Sequence, residues 1–131
     1  MADREEIRAP GQPEPISHYT DAVRAGDLLF VSGCVPVDAD GNLVGGDDVV
    51  AQARRVFENV GAVLAAAGAS FDDVVKVTVY LTDIDDRAKI NPVRQEFFGR
   101  TRPASTLVEV GGLAIPDAKI EVEAVAALIS H

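Results

Sequence analysis

The run IEVEAVAALI, residues 120–129, is apolar at every second position from Ile120 and then becomes apolar on its other side as well. Successive side chains of an extended strand point to opposite faces. Ile120, Val122, Ala124, Ala126 and Leu128 therefore share one face, and Glu121, Glu123, Val125, Ala127 and Ile129 share the other. The end of such a strand needs cover on both sides. A layer of helices supplies one cover, and 131 residues are enough for one domain but too few for two ordinary ones. The second cover is expected to be another subunit, since a monomer would leave Val125 and Ile129 in water.

The rest of the chain supplies the helices and the other strands. Residues 1–18 carry Pro10, Pro13 and Pro15 and read as an extended, non-helical N-terminal segment of a single domain spanning 1–131. Leu28 to Val31 forms a short apolar strand ending at Ser32-Gly33, and Asp40-Gly41-Asn42 between Val37 and Leu43 predicts a hairpin. After Gly45-Gly46, with Asp47 as a candidate N-cap, Val50, Ala53, Phe57, Val60, Leu64 and Ala67 recur at helical spacing. Gln52, Arg55, Glu58 and Asn59 fall off that stripe, and Gly68 ends the helix.

In DDVVKVTVYLTD, Val75, Val77, Val79 and Leu81 are expected on one face and Lys76, Thr78 and Tyr80 on the other. Asn91-Pro92 suits an N-cap followed by the first helical residue, which places the start of a second helix there, with Val93 and Phe97 inward and Gly99 at its end. Two further apolar runs, joined by a turn containing Gly111, Gly112 and Pro116, complete the order β-β-β-α-β-α-β-β. This is an α+β fold, a sheet with both helices on one face.

Composition excludes several functions. A formal charge of −9 with no basic stripe disfavours nucleic acid as a partner. No segment approaches the roughly 20 apolar residues of a membrane-spanning helix, and the N-terminus has no signal-peptide apolar region. A cytoplasmic protein with no membrane partner is expected. The single Cys34 cannot form an internal disulfide or a multi-cysteine metal site, and His18 and His131 are not at a ligand spacing, so neither metal nor cofactor is expected. No nucleophile elbow, zinc-binding helix motif, phosphate loop or dinucleotide fingerprint occurs.

Several short pieces taken in order carry more information. They are Ser32-Gly33-x-x-Pro36, Gln52-Ala53, Val75-Lys76-x-Thr78-Val79-Tyr80-Leu81, Asn91 with Glu96-Phe97-Phe98, and Arg102-Pro103-Ala104 through Lys119-Ile120-Glu121-Val122-Glu123-Ala124. Together, from about Ser17 to Leu128, they resemble the Rid/YjgF family, which includes enamine/imine deaminases and proteins labelled L-PSP-type endoribonucleases. The resemblance implies a chorismate-mutase-like α+β fold, a homotrimer, and clefts for a small-molecule substrate between subunits. It also implies that Glu121 positions the attacking water, and that Tyr19, the Gly33 loop and Asn91 shape the cleft.

The chain departs from the family's deaminases after Pro103-Ala104, where Ser105 stands in place of an arginine that holds the substrate carboxylate. A hydroxyl cannot make the paired charge-assisted bonds of a guanidinium. Arg102, at an odd offset along an extended strand, is expected on the opposite face. On this reading 2-aminoacrylate-type substrates are poorly bound, and Ser105→Arg should improve their hydrolysis. Ser105 and Thr106 are either hydroxyl donors to a differently placed substrate or ordinary strand residues. By spacing alone, Glu109, Glu121 and Glu123 are solvated strand acids. Only the resemblance raises Glu121 to a catalytic residue. The alternative to an imine- or aminomuconate-type deaminase is a trimer that binds a small metabolite, or acts like a chaperone, without catalysis. Ribonuclease activity fits poorly with the acidic charge.

Overall fold

The structure is a computed structural model describing residues 4–128, so Ile129 and His131 lie outside the described residues. Along the chain run β1 (Arg4–Ile7), β2 (Ala22–Ala25), β3 (Leu28–Cys34), α1 (Val49–Ala66), β4 (Val74–Leu81), α2 (Arg87–Phe98), β5 (Ala104–Glu109) and β6 (Ile120–Ala127). The strands form one six-stranded sheet in the order β1-β2-β3-β6-β4-β5. Every neighbouring pair is antiparallel except β4 and β5. The two last apolar runs are therefore not strand neighbours. β4 lies between them, and residues 110–119 bridge its C-terminal end.

The architecture is α+β, but several elements differ from the sequence expectation. Arg4–Ile7, ahead of the first proline, pairs with β2 as an edge strand. The hairpin expected around Asp40-Gly41-Asn42 shrinks to one bridge between Val37 and Leu43. The Asp38 carboxylate takes the backbone N–H groups of Asp40 at 3.0 Å and Asn42 at 2.9 Å, and Pro36 has no N–H to extend a ladder. Asp48, not Asp47, caps α1 and accepts from Val50 N at 2.9 Å.

The second helix begins at Arg87 and contains Pro92. A 3-10 turn at Ile84–Asp86 has already started the coil, so the proline removes only the bond that Ala88 would accept. Both residues are exposed, and water can take the freed carbonyl. In β4 the pairing slips between Val74 and Lys76. Val74 enters the core and Val75 is left 47% exposed, a one-residue correction that strict alternation could not supply.

One hydrophobic cluster joins both helices to a single face of the sheet. Ala53, Phe57, Val60 and Leu64 from α1 and Ile90, Val93 and Phe98 from α2 meet Leu29, Val77, Val79, Val122 and Ala124. Phe57, Phe71, Phe97 and Phe98 pack as one aromatic group. Away from the helices, Phe30 is 46% exposed, and Leu28 and Val108 are also in water. Their strand partners on that face are Val125, Ala127 and Tyr80.

Candidate active site

Glu121 sits at an irregularity in the sheet. Val31 pairs with Ala124 but Cys34 with Val122, so β3 has one residue more than β6 over this stretch. Such a bulge bends the strand and re-aims its side chains. Here it brings the Gly33 backbone against the Glu121 side chain. A Cβ on Gly33 would overlap the carboxylate, with Glu121 Cδ only 2.8 Å away. Tyr19, Ser32, Gly33, Val35, Ile115 and Glu121 line a cleft of about 330 Å³.

Partial burial pushes the Glu121 carboxyl above its ordinary value, and the neighbouring Glu123 charge adds to the effect. Glu123 points its carboxylate at the Tyr80 hydroxyl, which donates to it, and this bond raises the tyrosine pKa. Two acids two residues apart on one strand thus have different surroundings. Cys34, next to the bulge, is poorly placed to act as a nucleophile. Burial, with the Asp21 and Glu121 charges adding to it, pushes its thiol up to about 12.

Two buried amides hold the cleft walls, and helical periodicity had left both off the stripe. Gln52 Nε2 donates to the carbonyls of Gly46 at 2.6 Å and Asp117 at 3.1 Å, while its Oε1 accepts from Lys119 N at 2.7 Å. Asn59 Nδ2 donates to the Val35 and Val37 carbonyls, each at 3.0 Å. A seven-residue spacing is about two helical turns and puts both amides on one face of α1. That spacing, among apolar neighbours, is the signal that could have found them.

The other expected site residues lie elsewhere. Ser105 pairs with Val77 and faces the helix side, whereas Glu121 pairs with Tyr80 and faces the opposite side. Ser105 and Asn91 line a second, open cleft of about 700 Å³ with Arg94, Phe98, Arg100 and Arg102. Arg102 thus shares a cleft with Ser105 after all. β5 begins only at Ala104, so strand alternation does not govern residue 102. Arg94 Nη2 donates to Ser105 Oγ at 2.8 Å, and burial lowers the pKa of this guanidinium.

Thr106 lines neither cleft and accepts a 2.6 Å bond from Lys76 Nζ. Glu109 has a local structural task, accepting from Ile84 N at 2.9 Å at the 3-10 turn before α2. One chain therefore carries two separate groups: Tyr19, Gly33 and Glu121 in one cleft, Asn91 and Ser105 in the other.

Comparison with known proteins shows the family. Residues 10–128 match the family described as Endoribonuclease L-PSP. A RutC family protein of Pyrococcus horikoshii is 47% identical over 124 residues, covering 94% of this chain and 97% of the relative. The chain belongs to the Rid/YjgF family. A second Rid/YjgF relative, the 2-iminobutanoate/2-iminopropanoate deaminase of Salmonella typhimurium, is 41% identical over 123 residues, 92% of this chain and 94% of that one. Among solved structures, Escherichia coli TdcF with bound serine superposes with a TM-score of 0.86 at 38% identity, covering 94% of this chain and 98% of TdcF. No helix among the described residues is long and apolar enough to cross a membrane.

Proposed function

We propose that this Rid/YjgF protein hydrolyses small enamines or imines to a carbonyl compound and ammonia, as a homotrimer with its reaction clefts between subunits. The observation that carries the reading is Glu121, a half-buried carboxyl lying against the Gly33 backbone in a cleft, with its pKa raised. The deaminase named among its relatives supports the same reaction class.

The chemistry needs little else from the protein. An enamine accepts a proton at its β carbon and gives one up from its nitrogen to become an imine. Glu121 removes a proton from water as the water oxygen bonds to the imine carbon, and the imine nitrogen takes up a proton to give a carbinolamine. Glu121 then returns its proton to the nitrogen, the carbon–nitrogen bond breaks as the hydroxyl proton passes to solvent in place of the one the imine nitrogen took up, and the products are a carbonyl and ammonia. A carboxyl lifted toward the working pH both accepts and returns a proton more readily, and such acid–base help contributes about 10²- to 10⁴-fold. Tyr80 keeps Glu123 occupied, so the two acids do not compete for one water.

The two separated groups and the bare sheet face support the trimer. Phe30, Leu28 and Val108 give a neighbouring subunit apolar surface to bury. Rotation about a threefold axis makes the contact heterologous, so a different patch of each chain meets the next. Tyr19, Gly33 and Glu121 of one subunit then face Asn91 and Ser105 of another. Among the substrate-side residues, Asn91 and Ser105 orient the small molecule, and Thr106 lies on the interface side of β5.

The test has two parts. Light scattering at micromolar concentration should give three times the chain mass, and imine generated in situ should release ammonia faster with protein than without it. A monomer would sink the shared cleft. A trimer that binds the carbonyl product yet releases no ammonia would leave the non-catalytic reading in its place.

A further inference from the structure

The cleft around Arg94 is electrostatically out of keeping with the rest of the chain. The chain carries 21 acids against 12 bases, yet Arg94, Arg100 and Arg102 share this wall and no acid lines it. Among the described residues none of the three forms a salt bridge with a carboxylate. Arg94 differs from its two neighbours in being half-buried, while Arg100 and Arg102 are exposed. A guanidinium withdrawn from water without a counterion is costly unless an anion joins it.

Its position is also fixed. One of its five N–H donors goes to Ser105 Oγ at 2.8 Å, and no other side-chain bond of Arg94 is formed among the described residues. The remaining donors form a planar fork suited to two parallel bonds with a carboxylate. A serine at position 105 is small enough to let that fork lie over the start of β5. The hydroxyl accepts from the guanidinium and holds the plane.

We propose that Arg94 is the carboxylate anchor of this cleft, with Ser105 as its positioning residue, so that the protein accepts small imino acids although position 105 carries no arginine. The charge that Ser105 lacks comes from the helix instead of the strand. Ser105→Arg would then set two guanidiniums side by side and is expected to weaken carboxylate binding, the reverse of the expectation from sequence.

The kinetic arm of the test rests on the deaminase reading, whereas the binding arm does not. The probe for binding is 2-oxobutanoate, the product that hydrolysis of 2-iminobutanoate would leave, titrated calorimetrically into the full chain. Arg94→Met should raise its Kd about ten- to a hundredfold, the loss expected for a charge-assisted contact, and Arg94→Lys should fall between. In kinetics, kcat/KM for 2-iminobutanoate should fall similarly, while that for its uncharged methyl ester changes less than about twofold.

An unchanged Kd in Arg94→Met would overturn the anchor, as would equal losses for acid and ester, which mark a merely structural role. Inorganic phosphate displacing 2-oxobutanoate at equal concentration would also overturn the assignment to a carboxylate. If Arg94→Met does not fold, Arg94→Lys decides by the same readings, because it keeps the charge and loses the fork. Arg94-dependent binding without ammonia release would remove the deaminase and keep the anchor. Ammonia release indifferent to Arg94 would do the opposite.

Discussion

The two clefts of this chain are built on different principles. The Glu121 cleft is made of backbone irregularity: a bulge in β3, a glycine whose backbone lies against the Glu121 carboxylate, and loops pinned by amides from α1. The Arg94 cleft is made of long side chains on the end of α2 and the segment before β5. One holds an acid whose pKa is pushed up, the other a base whose pKa is pushed down, and in both burial is the leading cause. On the proposed function, chemistry belongs to the sheet centre and recognition to its edge. Proton transfer needs a fixed acid, whereas an anchoring cation tolerates a longer reach.

The largest expected effect tests the chemical half. Glu121→Gln should lower kcat about 10²- to 10⁴-fold while leaving binding of 2-oxobutanoate nearly intact. Its pH dependence has a definite sign. Because the folded-state pKa is raised, the charged carboxylate is a small penalty above that pKa, which disappears at low pH, where the group is protonated in both folded and unfolded states. Glu121→Gln should therefore melt slightly higher than wild type near neutral pH and show no such advantage in acid. A parallel loss of product binding would mean that the two halves are not separate.

Gly33→Ala sharpens the same half by moving the acid rather than removing it. The added methyl meets the end of a flexible side chain, so Glu121 should swing away with little loss of stability. A misplacement of about 1 Å costs on the order of 10² in rate. Steady-state kinetics beside a melting curve would check it, and a large fall in melting temperature with normal activity would contradict it.

Mixing tests whether the two halves meet across subunits. Glu121→Gln and Arg94→Met chains, each impaired, should regain activity when unfolded together and refolded. Every mixed closed ring of three then has about one cleft with both groups intact. No recovery from a verified mixed trimer would place both groups of a cleft in one chain, against the geometry of the sheet. The smallest expected effect concerns the walls. Gln52→Ala leaves the Gly46 and Asp117 carbonyls and the Lys119 N–H without their partner and should cost about 1–3 kcal/mol, read as a fall of a few degrees in melting temperature.

Much of this was legible along the chain. Alternation identified β4 and β6, a stripe and a terminal glycine identified α1, and the second apolar face of the last strand called for further cover. These signals are local, because burial on one side of a strand or helix imposes its period directly on the sequence. Gly68 and Gly99 mark helix ends for the same local reason, since both adopt positive φ, where a side chain is disfavoured.

What only the tertiary structure decided depends on register and on residues far apart in sequence. The insertion of β6 between β3 and β4, and the bulges that bury Val74 and bring Gly33 to Glu121, leave no period to read. The distinction between Glu121 and Glu123 comes from Tyr80, and the duties of Gln52 and Asn59 come from loops many residues away. The nearness of Arg94 to Ser105 arises because α2 returns its chain to the start of β5, a contact eleven positions apart. A sequence records the substitution at position 105. Which guanidinium lies beside it depends on which surfaces the fold brings within a hydrogen bond of each other.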